Sequence, residues 1–155
     1  MGADVDELES LYRDRFRAFA ALATAVVGSA GDAYDVVQDA FVTAVRRRRS
    51  YRGDGTLEAW VWRIVLNKAR DARRRRRPDE PEQPAATNGH HADAEVRLLV
   101  ARLPARQRET IFLHYYAGLD YAEIAEVLGI SSGTVGATLH SARAALRGVM
   151  EAADA

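Results

Sequence analysis

Trp60, Arg63, Asn67, Arg70 and Arg74 recur at i, i+3, i+7, i+10 and i+14, so a helix would line up an indole, an amide and three guanidinium groups on one stripe. Such a stripe suits single-stranded nucleic acid, because aromatic faces stack on bases while arginines hold phosphates. A glycine-bearing turn, Tyr51-Arg52-Gly53-Asp54-Gly55-Thr56, stands directly before it. Tyr51 adds a second ring, and glycine adds no side-chain bulk between backbone and a ligand. A core tryptophan beside a solvated basic face would give part of the same pattern.

Charge supports the anionic partner. The formal net charge is zero, but residues 44–77 carry thirteen Lys/Arg against three Asp/Glu, a local excess of +10. Residues 78–95 hold five acids and no base, and residues 96–155 hold six of each. There is no cysteine, which excludes disulfides and thiolate metal sites. The four histidines, at 90, 91, 114 and 140, are scattered, and neither a phosphate-binding glycine loop nor a nucleophile–base pair is evident. A metal, a cofactor and an enzymatic activity are therefore not expected. No apolar run approaches the ~20 residues of a membrane span and the acidic start lacks a signal-peptide layout, so a cytoplasmic protein is expected.

The elements that must position the stripe read as helices throughout, and the expected fold class is all-α. Residues 6–27 place Leu8, Leu11, Tyr12, Phe16, Phe19, Leu22, Ala23 and Val26 on one face, ended by Gly28 and Gly31. A second helix, capped near Asp32 and running to about Arg49, turns Val36, Val37, Ala40, Phe41, Ala44 and Val45 inward. In the third, from Leu57, the inward set is Leu57, Val61, Ile64, Val65 and Ala72. Residues 78–93 hold three of the four prolines and no periodicity, which reads as a linker between modules at 1–77 and 94–150. Its sixteen residues would extend to at most about 50–58 Å.

In the second module Pro104 opens a helix closing near Gly118, and Asp120 with Glu123 makes a capping-box start for a helix at 121–128. Ala125, Gly129 and Val135 match the small residue, turn glycine and core aliphatic of a helix-turn-helix, with Ser131 or Ser132 capping its second helix to about Met150. An ordinary helical hairpin is the plainer alternative.

Three segments in order, DVVQDAF (35–41), YRGDGTLEAWVWRIVLNKARD (51–71) and LPARQRETIFLHYYAGLDYAEIAEVLGISSGTV (103–135), resemble the small extracytoplasmic-function group of bacterial sigma factors. The likeness spans about residues 8–150. It implies a non-enzymatic initiation subunit whose partners are core RNA polymerase, promoter DNA as duplex and as melted non-template strand, and an anti-sigma factor. Asp35, Gln38 and Asp39 share one face of the second helix, and the resemblance assigns that face, with Phe41 adding an apolar contact or anchoring the helix, to the polymerase's clamp helices. It assigns Tyr51, Arg52, Gly53, Asp54, Trp60, Arg63, Ile64, Asn67, Arg70 and Arg74 to the minus-ten element, with one base flipped against Tyr51, Ile64 and Asn67. It assigns Ser132, Thr134, Val135, Gly136, Thr138, His140 and Arg143 to the minus-thirty-five element.

The chain departs from the family at Gly136, Thr138 and Ser141, where Lys or Arg is usual. Either Gly136 lets the backbone approach DNA, or this module mainly docks on the polymerase flap. The acidic linker would serve as a tether or mimic nascent RNA. Two rival functions are a stand-alone operator-binding regulator and a degenerate, interaction-only sigma.

Overall fold

The computed structural model describes residues 2–76 and 99–154, which form two compact helical units. The linker segment 78–93, with His90 and His91, lies outside the described residues, as do the module boundaries beside it.

In the first unit, α1 (Val5–Val27) begins at a capping box: the Asp6 amide donates to Asp4 Oδ1 at 3.2 Å and the Asp4 amide to Glu7 Oε2 at 3.3 Å. Gly28 at φ 86° ends it, donating to Thr24 O at 2.7 Å. The helix α2 (Ala30–Arg46) is capped by Ser29, whose hydroxyl accepts from the Asp32 amide at 3.4 Å. The cap therefore falls three residues before the expected Asp32, and Gly31 lies inside α2 rather than ending α1. After Arg46 a 3-10 turn (Arg48–Ser50) leads into the loop, and α3 (Leu57–Arg75) starts from a Thr56 cap.

The three helices enclose an aromatic core. Phe19 and Trp62 are fully buried with ring centroids 4.3 Å apart, Phe41 packs on Phe19 at 5.4 Å, and Tyr12 packs on Phe41 at 4.9 Å. The inward face of α3 is Ala59, Val61, Trp62, Val65, Leu66 and Ala69. This corrects the sequence expectation: Leu57, Ile64 and Ala72 are only half-buried, because the arc of α3 that packs on the other two helices is centred on Trp62, which fits against Phe19. The Trp62 indole N–H is satisfied by Glu58 Oε1 at 3.4 Å, and the same oxygen accepts from Arg15 Nε at 2.8 Å, tying α3 to α1.

The arginine run at the end of α3 divides by role. Nothing basic lies in the last turn of α1; instead Arg73 Nη1 donates to Val26 O at 3.3 Å and Arg76 Nη1 to Val27 O at 2.6 Å. Two guanidinium groups thus complement the negative end of the α1 dipole from another helix. Arg74 instead points outward, ion-paired to Asp71 at 3.4 Å. Arg76→Ala is expected to cost about 1 kcal/mol and lower the melting temperature by about 4–8 °C. Arg74→Ala should move it by under about 0.5 kcal/mol; calorimetry of the two variants checks both.

The second unit has a helical stretch at 99–101, then α4 (Ala105–Ile111), which follows Pro104 and continues through a wider π turn at Phe112–Tyr116. Pro104 is the cap rather than the first helical residue. Gly118, at φ 72°, reverses the chain. The helix α5 (Tyr121–Leu128) opens on reciprocal bonds, Asp120 amide to Glu123 Oε2 and Glu123 amide to Asp120 Oδ1, both 2.8 Å. Gly129 at φ 69° makes the turn into α6 (Ser132–Asp154), which Ser131 caps through the Thr134 amide at 3.1 Å. A left-handed residue followed by a capped helix gives the helix-turn-helix its sharp corner. Val135, Leu139 and Ala142 are buried on the inner face of α6. No strand occurs among the described residues, and no helix among them is long and apolar enough to cross a membrane.

Candidate nucleic-acid interface

The loop between α2 and α3 positions the first group of candidate residues. Gly53 and Gly55 adopt φ 82° and 109°, values side chains rarely take, and the fold this creates lets Tyr51 Oη donate to Gly55 O at 2.6 Å. The Tyr51 ring then meets the Trp60 ring with centroids 5.6 Å apart. Burial, with the nearby Glu7 and Asp54 carboxylates adding to it, pushes the Tyr51 hydroxyl above its ordinary pKa. Arg52, Gly53 and Asp54 are exposed around the pair.

Along α3, Arg63, Asn67 and Arg74 are exposed, and Trp60, Ile64 and Arg70 half-buried. Trp60 and Asn67 are seven residues, about 10 Å, apart along the axis, so Tyr51 belongs to the Trp60 end. The arrangement is a strip: two rings at one end, then Arg63 and Asn67, then arginines.

On α2, Asp35, Gln38 and Asp39 are exposed side by side while Val36, Val37 and Ala40 are buried beneath. Gln38 Nε2 donates to Tyr12 Oη at 3.2 Å, which fixes the amide between the carboxylates. Phe41 is not part of that surface. It is 8% exposed and locked between Tyr12 and Phe19, so of its two expected roles it takes the anchoring one.

The candidates on α6 divide more sharply. Ser132, Thr134 and His140 are exposed, and Thr138 is half-buried with its hydroxyl donating to Thr134 O at 2.7 Å. Val135 is fully buried and cannot meet DNA; its branched side chain belongs to the helix-turn-helix core. Gly136 is half-buried, and a Cβ there would stand 3.5 Å from the Tyr121 ring, an ordinary van der Waals contact. Arg143 is occupied: its Nε donates to Tyr115 Oη at 2.6 Å, and its guanidinium lies 5.5 Å from that ring centroid. The hydrogen bond to Tyr115 favours the charged guanidinium and raises the Arg143 pKa. Sequence reasoning missed both tyrosines, since Tyr115 and Arg143 are 28 residues apart with no periodic link. His114 is held through Nδ1 to Leu119 O at 3.2 Å. No group of three or more His, Cys, Asp or Glu suited to a metal occurs among the described residues.

A three-helix unit with a ring-and-arginine strip, followed by a helix-turn-helix unit, is the architecture of a DNA-binding protein. Residues 11–78 match Sigma-70 region 2 and residues 93–146 match Sigma-70 region 4. The chain is 32% identical over 142 residues to the RNA polymerase sigma-H factor of Pseudomonas aeruginosa, covering 77% of this chain and 74% of that one. It is 32% identical over 145 residues to the ECF RNA polymerase sigma factor SigM of Mycobacterium tuberculosis, covering 89% and 74%. Among solved structures, CnrH in complex with the cytosolic domain of CnrY is 31% identical, with a TM-score of 0.76 over 97% of this chain and 91% of that one. RpoE of Bartonella quintana, solved with the anti-sigma factor NepR, shares the fold at 22% identity, with a TM-score of 0.79 over 95% and 98%. The chain belongs to the sigma-70 family, within the extracytoplasmic-function group. It is an alternative sigma factor, a transcription initiation factor that catalyses no reaction itself.

Proposed function

We propose that the first unit, within residues 1–77, docks on the clamp helices of core RNA polymerase through Asp35, Gln38 and Asp39 and holds the melted minus-ten strand along Tyr51, Trp60, Arg63, Asn67 and the outward arginines. The Tyr51–Trp60 ring pair at the head of a basic helix carries this reading. Rings offer stacking to unpaired bases that a duplex keeps hidden, so binding them favours the opened promoter. The protein shifts a melting equilibrium, and the polymerase performs the chemistry.

The unit within 94–150 contributes mainly by docking on the polymerase flap, with promoter choice resting on the minus-ten side. Between Ser132 and Ala142 helix α6 has no Lys or Arg, and Arg143 is engaged by tyrosines. Gly136→Lys is expected to fit, since its Cβ meets Tyr121 only at ordinary van der Waals distance. It should steepen the log–log salt dependence of minus-thirty-five duplex binding by about 0.9. Fluorescence-anisotropy titrations at several salt concentrations measure it, and an unchanged slope would place position 136 away from phosphates.

The linker at 78–93 tethers the two units. The site of action is the cytoplasm, at the nucleoid. Control by an anti-sigma factor is part of this reading; the relative CnrH was solved bound to a protein partner, the cytosolic domain of CnrY. The test is run-off transcription by purified core polymerase on pooled genomic promoter fragments. Transcripts that require the protein support the reading. Polymerase binding without transcripts would favour an interaction-only sigma, and no binding would return the operator-binding alternative.

A further inference from the structure

The amino-terminal residues ahead of α1 are built into the back of the promoter-facing loop. The Ala3 amide donates to Arg48 O at 2.8 Å, and Ala3 is 7% exposed. Gly2 packs so tightly on the same turn that a Cβ would stand 2.9 Å from Arg48 O and 3.0 Å from Arg49 Cα, both backbone atoms. Only glycine fits there without moving the turn, for reasons of space rather than of backbone angle. The next residue, Asp4, is the reciprocal cap of α1, so the clamp is anchored to a rigid helix start.

The turn it grips otherwise holds itself by local bonds. Ser50 donates to Arg47 O through its amide at 2.8 Å and its hydroxyl at 2.6 Å, and Arg48 Nη1 donates to Val45 O at 2.8 Å. Among the main-chain bonds of the described residues, the one from Ala3 is the turn's link to a distant segment. Tyr51 follows the turn immediately, so a displacement of Arg48 is passed to the ring that meets Trp60.

From this geometry we infer that Gly2 and Ala3 are positioning residues for promoter opening: they seat the Arg48–Ser50 turn and thereby the Tyr51–Trp60 ring pair. The inference rests on the reading that this pair holds the melted strand. It assigns an opening defect to residues that lie outside both proposed contact surfaces.

The experiment compares wild type, Ala3→Pro, which removes the donor N–H, and Gly2→Val, which keeps the donor and forces the turn outward. Each is assembled with core polymerase on a promoter found by run-off transcription. Core affinity, the melting temperature of the free protein and permanganate reactivity of melted thymines are measured in parallel. Both variants are expected to bind core as wild type does, and to lower thymine reactivity about fivefold, the scale of one lost hydrogen bond. Pairing either with Trp60→Ala should give no further loss, because both changes act through one ring pair. Wild-type reactivity in both variants overturns the inference while leaving the opening activity intact. A defect that tracks core binding or melting temperature also overturns it, by making these residues general fold determinants. A wild-type protein that opens no promoter removes the underlying reading itself.

Discussion

Reversing the charge at Asp39 is expected to abolish holoenzyme formation, with no binding to core polymerase detectable at micromolar protein. Asp39 is exposed on α2 beside Asp35 and Gln38, so it is available to a basic partner surface, and a like charge placed there costs several kcal/mol. The site also has an internal side. Asp39 lines a hollow of about 90 Å3 with Val36, Lys68, Asp71, Ala72 and Arg75, so an arginine in its place would meet two cations of its own fold. Asp39→Ala separates the effects: it introduces no repulsion and should weaken core binding by about 2 kcal/mol, roughly thirtyfold. Biolayer interferometry against immobilised core, alongside thermal melts, reads both variants. Tight binding by Asp39→Arg would mean that the polymerase contacts another face.

Two tryptophans separated by one residue should respond in opposite ways to the same substitution. Trp62 is fully buried against Phe19, and its removal leaves a cavity and deprives Glu58 of a donor. Trp62→Ala should therefore cost about 3–5 kcal/mol, roughly a fifth or more of what a typical domain possesses. Trp60 is half-buried and in ring contact with Tyr51 at 5.6 Å. Its replacement by alanine should spare most of the stability but reduce promoter opening roughly five- to hundredfold, the scale of one lost base stack. Chemical denaturation and permanganate footprinting distinguish the pair. Equal loss of stability in both would make Trp60 a core residue and dissolve the strip.

The same pair shows where a linear reading runs out. Spacing alone places Trp60 on the basic stripe and Leu57, Ile64 and Ala72 inward, and it does not single out Trp62. Periodicity defines an apolar arc only to within a residue or two on each side. Which large side chain claims the centre depends on the cavity that Phe19, Phe41 and Tyr12 leave between α1 and α2.

The all-α class, the helix-turn-helix caps and glycine turn, and the family are legible in the linear chain, because each of these is written in residues three to seven positions apart or in contiguous motifs. Tertiary structure alone decided the rest. It joined Arg73 and Arg76 to the end of α1, Tyr115 to Arg143, and Ala3 to Arg48, contacts separated by 28 to 49 residues. It also withdrew Phe41 and Val135 from the surfaces first assigned to them. The reason is physical: a guanidinium on a helix reads the same in sequence whether it ends against a phosphate, a carbonyl or a tyrosine, and only packing selects which partner lies within reach.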